Sequence, residues 1–137
     1  MFGRSVLVLA TGLLLTVAFA SPGFSNETVQ PLFVKVHADW CGTCTRLEPT
    51  WSVLQEEFGG EATFVVLDVT DRAALERAQA EADRLRIGAF FAAHKARTGT
   101  IGILDGKTGE PLAVMKGETN VTRYREAWTR AQSEEAS

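Results

Sequence analysis

Cys41 and Cys44 stand in the stretch Ala38-Asp39-Trp40-Cys41-Gly42-Thr43-Cys44 and are the only cysteines of the chain. Two cysteines at this spacing at the start of a helix can form a small, reversible disulfide, and the position makes them unequal. Cys41 would face the unpaired N–H groups and the positive dipole end of the helix, both of which favour a thiolate. That makes it the candidate nucleophile. Cys44, one turn further on and more shielded, would attack a mixed disulfide on Cys41 and release the partner as a dithiol. A Cys-x-x-Cys pair also reads as half a zinc site, so the surrounding pattern has to decide.

The elements that must hold the pair follow from hydrophobic periodicity. Leu32 to His37 is a nearly continuous apolar run, the pattern of a strand buried on both faces, interrupted by Lys35. Behind the cysteines, Leu47, Trp51, Leu54 and Phe58 recur at helical spacing, so 42–58 is expected as an amphipathic helix. Pro49 should kink it, and Gly59-Gly60 should end it in a left-handed conformation. Residues 63–67 form a second buried strand, parallel to the first because a helix lies between them. Thr70 or Asp71 can cap a helix over 72–86, with Leu75, Ala78, Ala82 and Leu85 inward. Residues 100–104 and 111–116 read as strands joined by a turn-rich connection, the second an antiparallel edge strand with Met115 as packing. Asn120 caps a last helix over 121–132, and 133–137 is expected to be a disordered acidic tail. The order β-α-β-α-(insert)-β-β-α describes an α/β fold with a mixed central sheet of about four strands and helices on both faces.

The strand, the Trp-Cys-Gly-Thr-Cys run and Pro49 five residues after the second cysteine resemble the thioredoxin superfamily, in particular its exported, periplasmic-type members. The resemblance covers roughly residues 31–131. It implies a thioredoxin-like fold and a protein thiol:disulfide oxidoreductase with Cys41 and Cys44 as the redox disulfide. Trp40, Gly42, Thr43, Lys35, His37, Gly99 and Thr100 become active-site neighbours. It implies as partners client proteins with disulfides or thiols and a membrane electron donor upstream, with the protein a reductant more than an oxidant. The thiols carry the two electrons, so no organic cofactor is implied. Several positions depart from the family pattern. Thr43 stands where proline is commonest, Lys35 where a buried aspartate assists the resolving cysteine, His37 where an aromatic residue is usual, and Gly99 where a cis-proline faces the cysteines.

Alternatives stay open at these positions. Lys35 either snorkels or pairs with a carboxylate such as Asp68, or it tunes the thiols electrostatically. His37 is a packing residue or a proton acceptor near the thiols. The insert at 87–97 is a short helix anchored by Phe90 and Phe91, or a lip that contacts a partner. His94 is read as a surface residue. A different class of function, a copper(I)-binding module using the same two cysteines and a histidine, also fits a Cys-x-x-Cys pair.

With 137 residues and 45% hydrophobic residues the chain has room for one domain and one core. A formal charge of −3 argues against nucleic acid as a partner. Residues 1–20 combine Arg4, an apolar run and Ala18-Phe19-Ala20, the make-up of a secretory signal peptide; the alternative is an uncleaved membrane anchor. Residues 21–30 then form a linker, 31–132 the domain, and the expected location is the periplasm or an equivalent extracytoplasmic compartment.

Overall fold

The computed structural model describes residues 29–137, so the leader reading of 1–20 and most of the 21–30 linker lie outside the described residues. Eight elements follow in order: β1 (Leu32–His37), α1 (Gly42–Phe58), β2 (Thr63–Asp68), α2 (Arg72–Arg84), α3 (Gly88–His94), β3 (Thr100–Leu104), β4 (Pro111–Lys116) and α4 (Val121–Glu135). They make one four-stranded sheet in the order β2-β1-β3-β4. β1 runs parallel to β2 and antiparallel to β3, and β4 is antiparallel to β3. Among the described residues no helix is long and apolar enough to cross a membrane.

Central β1 is buried on both faces because helices cover both. Leu32, Val34 and Val36 join Val65, Leu67, Ala78, Ala82, Ile87, Phe90, Phe91 and Leu104 on the side of α2 and α3. Phe33 points the other way, into a layer built from Leu47, Trp51, Leu54 and Phe58 of α1 and Tyr124 and Trp128 of α4. There the Phe33 ring lies 4.9 Å from Phe64 and 5.6 Å from Trp128, centroid to centroid. Strand alternation puts Lys35 on this same aromatic side.

Several expectations are corrected. β2 is an edge strand and is not buried throughout: Val65 and Leu67 are buried on one face, Phe64 is half-buried against Phe33 and Trp51 on the other, and Val66 is exposed. Gly59 ends α1 in the right-handed region (φ −60°, ψ −22°), and the left-handed glycines are Gly99, Gly109 and Gly117. The insert is the short helix α3, and Phe90 and Phe91 are both buried in the core, which leaves neither ring for a partner-binding lip. His94 is half-buried with its ring 4.6 Å from that of Phe90, so it is part of the packing and not a surface residue; burial and Arg97 hold it below the usual imidazole range. α4 continues past Gln132 to Glu135, and the Ser133 hydroxyl donates back to Thr129 O at 2.9 Å, so the start of the tail is helical.

Candidate active site

The chain leaves β1 at His37 and makes one tight turn before α1, closed by Cys41 N–H donating to Ala38 O at 3.1 Å. The corner is tied to the loop after β2. Asp39 N–H donates to Thr70 Oγ1 at 2.9 Å, and the Trp40 indole N–H to Thr70 O at 3.0 Å. With its N–H engaged there, the Trp40 ring remains 67% exposed beside Cys41.

Cys41 is the N-cap of α1. Its backbone is extended (φ −91°, ψ 106°) and its Sγ accepts the Cys44 N–H at 3.1 Å, satisfying one of the helix's unpaired donors. Cys44 is completely buried, and its S–H donates to Val36 O at 3.8 Å. Ala38 and Val69 pack around the two sulfurs, and both cysteines are free thiols.

The surroundings split the two thiols. Burial pushes Cys41 up, but hydrogen bonds from the Cys44 and Thr98 side chains and from the Cys44 and Thr43 amides outweigh it, so Cys41 ionises more readily than an ordinary thiol. For Cys44 burial dominates, the bond it gives Cys41 and the charge there add to it, and the Ala38 backbone and the Lys35 ammonium oppose it only in part. Cys44 therefore stays a thiol where Cys41 is already turning into thiolate. A dithiol built this way can open a disulfide with one sulfur and expel the partner with the other.

The thioredoxin family model matches residues 17–82, which take in β1, α1, β2 and most of α2. A chloroplastic thioredoxin X of Arabidopsis thaliana is 38% identical over 42 residues, 31% of this chain. The match spans 23% of that protein's length. The fold resembles the X-ray structure of Fasciola hepatica thioredoxin at a TM-score of 0.50 and 25% identity, over 74% of this chain and 81% of that one. It also resembles oxidised thioredoxin O2 from Arabidopsis thaliana, with a TM-score of 0.50 at 19% identity over 76% of each chain. The fold is thioredoxin-like.

Within this thioredoxin-like domain, the expected neighbours of the cysteines are placed unevenly. Gly42 and Thr43 form the first residues of α1, with the Thr43 hydroxyl accepting from Arg46 at 3.0 Å. Gly99 lies against Thr43. It has φ +81°, and a Cβ there would come within 2.6 Å of Thr43 Cγ2, so the position demands glycine twice over. Its N–H donates to Val36 O and its carbonyl accepts the Gly117 N–H, which pins the loop beside the helix start. Thr100 is buried at the head of β3, its hydroxyl donating to Arg97 O at 2.7 Å, and serves the strand more than the sulfurs.

Lys35 pairs with Glu48 at 2.7 Å, not with Asp68. In the β1–β2 register Asp68 stands opposite His37, two residues away, and Thr70 occupies its carboxylate from both N–H and hydroxyl. Glu48 reaches Lys35 from α1 above the sheet, and the ammonium lies 4.9 Å from the Trp51 ring centroid. His37 Nε2 lies 3.2 Å from Asp39 Oδ1, where a ring N–H donates to the carboxylate. Sequence reasoning missed Glu48, Thr98, Val69 and Thr70. Glu48 had a usable signal, four residues after Cys44 on one helix face. The other three approach only through the tertiary fold.

Proposed function

We propose that this protein is an exported thiol:disulfide oxidoreductase that exchanges disulfides with client proteins through Cys41 and Cys44, acting as a reductant. Cys41 is the nucleophile and Cys44 the resolving thiol. The observation that carries the reading is the Cys41 sulfur as N-cap of α1, held by the Cys44 N–H next to an exposed Trp40. A client disulfide is attacked by the Cys41 thiolate, and the flat Trp40 face beside it offers apolar contact to an extended client segment. The oxidised pair is then reduced again by an upstream donor, for which a membrane electron conduit suits an exported protein. Export itself rests on the residue pattern of 1–20.

The copper-binding reading has less support. Among the described residues no three His, Cys, Asp or Glu side chains group as a metal site, so it would depend on two thiolates alone.

The deciding experiment is the equilibrium redox potential of the Cys41–Cys44 pair, titrated with dithiothreitol and read by Trp40 fluorescence. A value near about −270 mV marks a reductant, and a value near about −120 mV marks an oxidant of folding proteins. A pair that does not form a disulfide reversibly would refute the proposal. N-terminal sequencing of the mature protein from its host tests export; retention of Met1 to Ala20 would refute cleavage.

A further inference from the structure

Cations are distributed unevenly over this molecule. Among the described residues, Lys35, Arg72, Arg84 and Arg125 each lie against a carboxylate, which compensates the charge on the spot. Arg46, Arg97 and Lys116 are exposed and form no such pair among the described residues, and the fold gathers all three at the mouth of the cysteine pair.

Each of the three arrives from a different element. Arg46 belongs to α1. Its guanidinium donates to the Thr43 hydroxyl at 3.0 Å, and its Nη1 would lie 3.7 Å from a Cβ placed on Gly42, so the charge is held over the two residues that follow Cys41. Arg97 lies just after α3. It precedes Thr98, whose side chain hydrogen-bonds the Cys41 sulfur, and its own carbonyl accepts the Thr100 hydroxyl at 2.7 Å. Lys116 ends β4. It stands opposite Thr100 in the β3–β4 register and precedes Gly117, whose N–H donates to Gly99 O and where a Cβ would lie 3.4 Å from the Thr43 methyl. Thr43, Thr98 and Gly99 thus carry a cation on each side. The carboxylates of this end are engaged elsewhere. Glu118 accepts the Asn120 N–H at 2.8 Å before α4, Glu48 is held by Lys35, and Asp39 lies beside His37 on the Trp40 side.

The whole chain has 17 acidic against 14 basic residues, so a positive mouth is a matter of placement and not of composition. An acidic surface elsewhere repels an acidic partner while the mouth attracts it, which orients the partner toward Cys41. We propose that Arg46, Arg97 and Lys116 form a cationic rim that selects client proteins whose disulfide is flanked by acidic residues. The inference rests on the oxidoreductase reading above and names the class of client. A segment laid across Cys41 would meet the Trp40 ring on one side and bring its carboxylates to the rim on the other. A guanidinium fork can take a carboxylate with two parallel bonds, and the Thr43 hydroxyl already holds that of Arg46 in place. The same rim repels a client disulfide flanked by lysine or arginine.

The test uses the reduced full-length protein and two disulfide-looped peptides of one sequence, one with glutamates and the other with lysines beside its cysteines. Second-order rates of peptide reduction are each divided by the rate with dithiothreitol, which removes the effect of the flanking charges on the disulfide and on any attacking thiolate. At an ionic strength of about 0.01 M, where the Debye length is about 30 Å, the acidic peptide should be favoured by about 10-fold, the lower end of electrostatic steering. At about 1 M, where that length is about 3 Å, the ratio should fall toward one. Combining Arg46→Gln, Arg97→Gln and Lys116→Gln should remove most of the low-salt preference, while Arg130→Gln toward the far end of α4 should keep it. An uncharged version of the peptide should be reduced equally fast by all these proteins, which a general loss of active-site structure would not allow. Equal rates for the two charged peptides at low salt, a preference for the basic one, or an acidic preference that survives the triple substitution would overturn the rim and leave the oxidoreductase reading intact. Failure of the wild-type protein to reduce any of the peptides would overturn both.

Discussion

α1 and α2 begin with the same local geometry. Each is preceded by an extended residue whose side chain accepts the N–H three positions on: Cys41 Sγ from Cys44 at 3.1 Å, Asp71 Oδ1 from Ala74 at 2.8 Å. The chemistry of the cap separates them. A carboxylate is not a redox group, so Asp71 stabilises its helix and has nothing to exchange. A thiol is a poor cap until it ionises, so at α1 the field of the helix is spent on moving a proton off sulfur. The burial differs as well. The start of α1 is closed over by the loop at Thr98 and Gly99, whereas Asp71 sits at the surface. The same cap position thus gives stability in one helix and reactivity in the other.

The largest expected break in this comparison is Cys41→Ser, which should reduce the rate of dithiothreitol-driven insulin reduction to the uncatalysed background. Asp71→Ala at the equivalent position should leave that rate unchanged. Phe91→Ala comes next. It empties a fully buried site at the α3 anchor and should cost about 3–5 kcal/mol in urea denaturation. The rate of Cys41 alkylation in the folded variant should match wild type, because Phe91 packs on the side of α2 and α3. A drop in client turnover with stability retained would revive the lip reading.

Gly99→Ala should cost roughly 1–3 kcal/mol for the left-handed backbone alone, and it should also displace Thr43 and alter the Cys41 reaction rate. Removing the Thr43 methyl in Thr43→Ala should recover part of both losses, a coupling that a double-mutant cycle measures. Asp71→Ala should lower stability by about 1 kcal/mol with the Cys41 alkylation profile unmoved. The smallest effect is in pH dependence. Cys41 is held below the ordinary thiol range, so its contribution to the stability of the reduced protein is present above the unfolded thiol pKa and fades as pH falls through the folded value. Cys44 is held above it, so its contribution is present below the unfolded value and is lost as pH rises through the folded one. Denaturation of the reduced protein across this range, beside Cys41→Ser and Cys44→Ser, should resolve the two opposite slopes; parallel curves for the three proteins would remove the asymmetry.

The order of elements, the parallel β1–β2 pair and the antiparallel β3–β4 pair were legible because they rest on local patterns: apolar runs, helical spacing behind Cys44, and capping residues such as Asp71 and Asn120. The edge position of β2 was not legible, since Val65, Val66 and Leu67 look alike in sequence and only the sheet order exposes the middle one. Phe90 and Phe91 were ambiguous for a similar reason. Two adjacent aromatic residues point in different directions on a helix, and whether both find cover depends on what the sheet and α2 present to them.

By itself the sequence determined the chemistry and its address: two thiols one helical turn apart, at the mouth of a helix that follows a buried strand. Spacing along the chain is enough for that, because a cap and its third N–H are neighbours in any helix. Only the tertiary structure decided what surrounds the sulfurs. It paired Lys35 with Glu48 and left Asp68 to Thr70, because the strand register sets Asp68 beside His37 while α1 lays Glu48 across Lys35. It also brought Gly99 against Thr43 and oriented His37 between two carboxylates. Those contacts join residues from separate elements, and their distances depend on how the helices pack on the sheet.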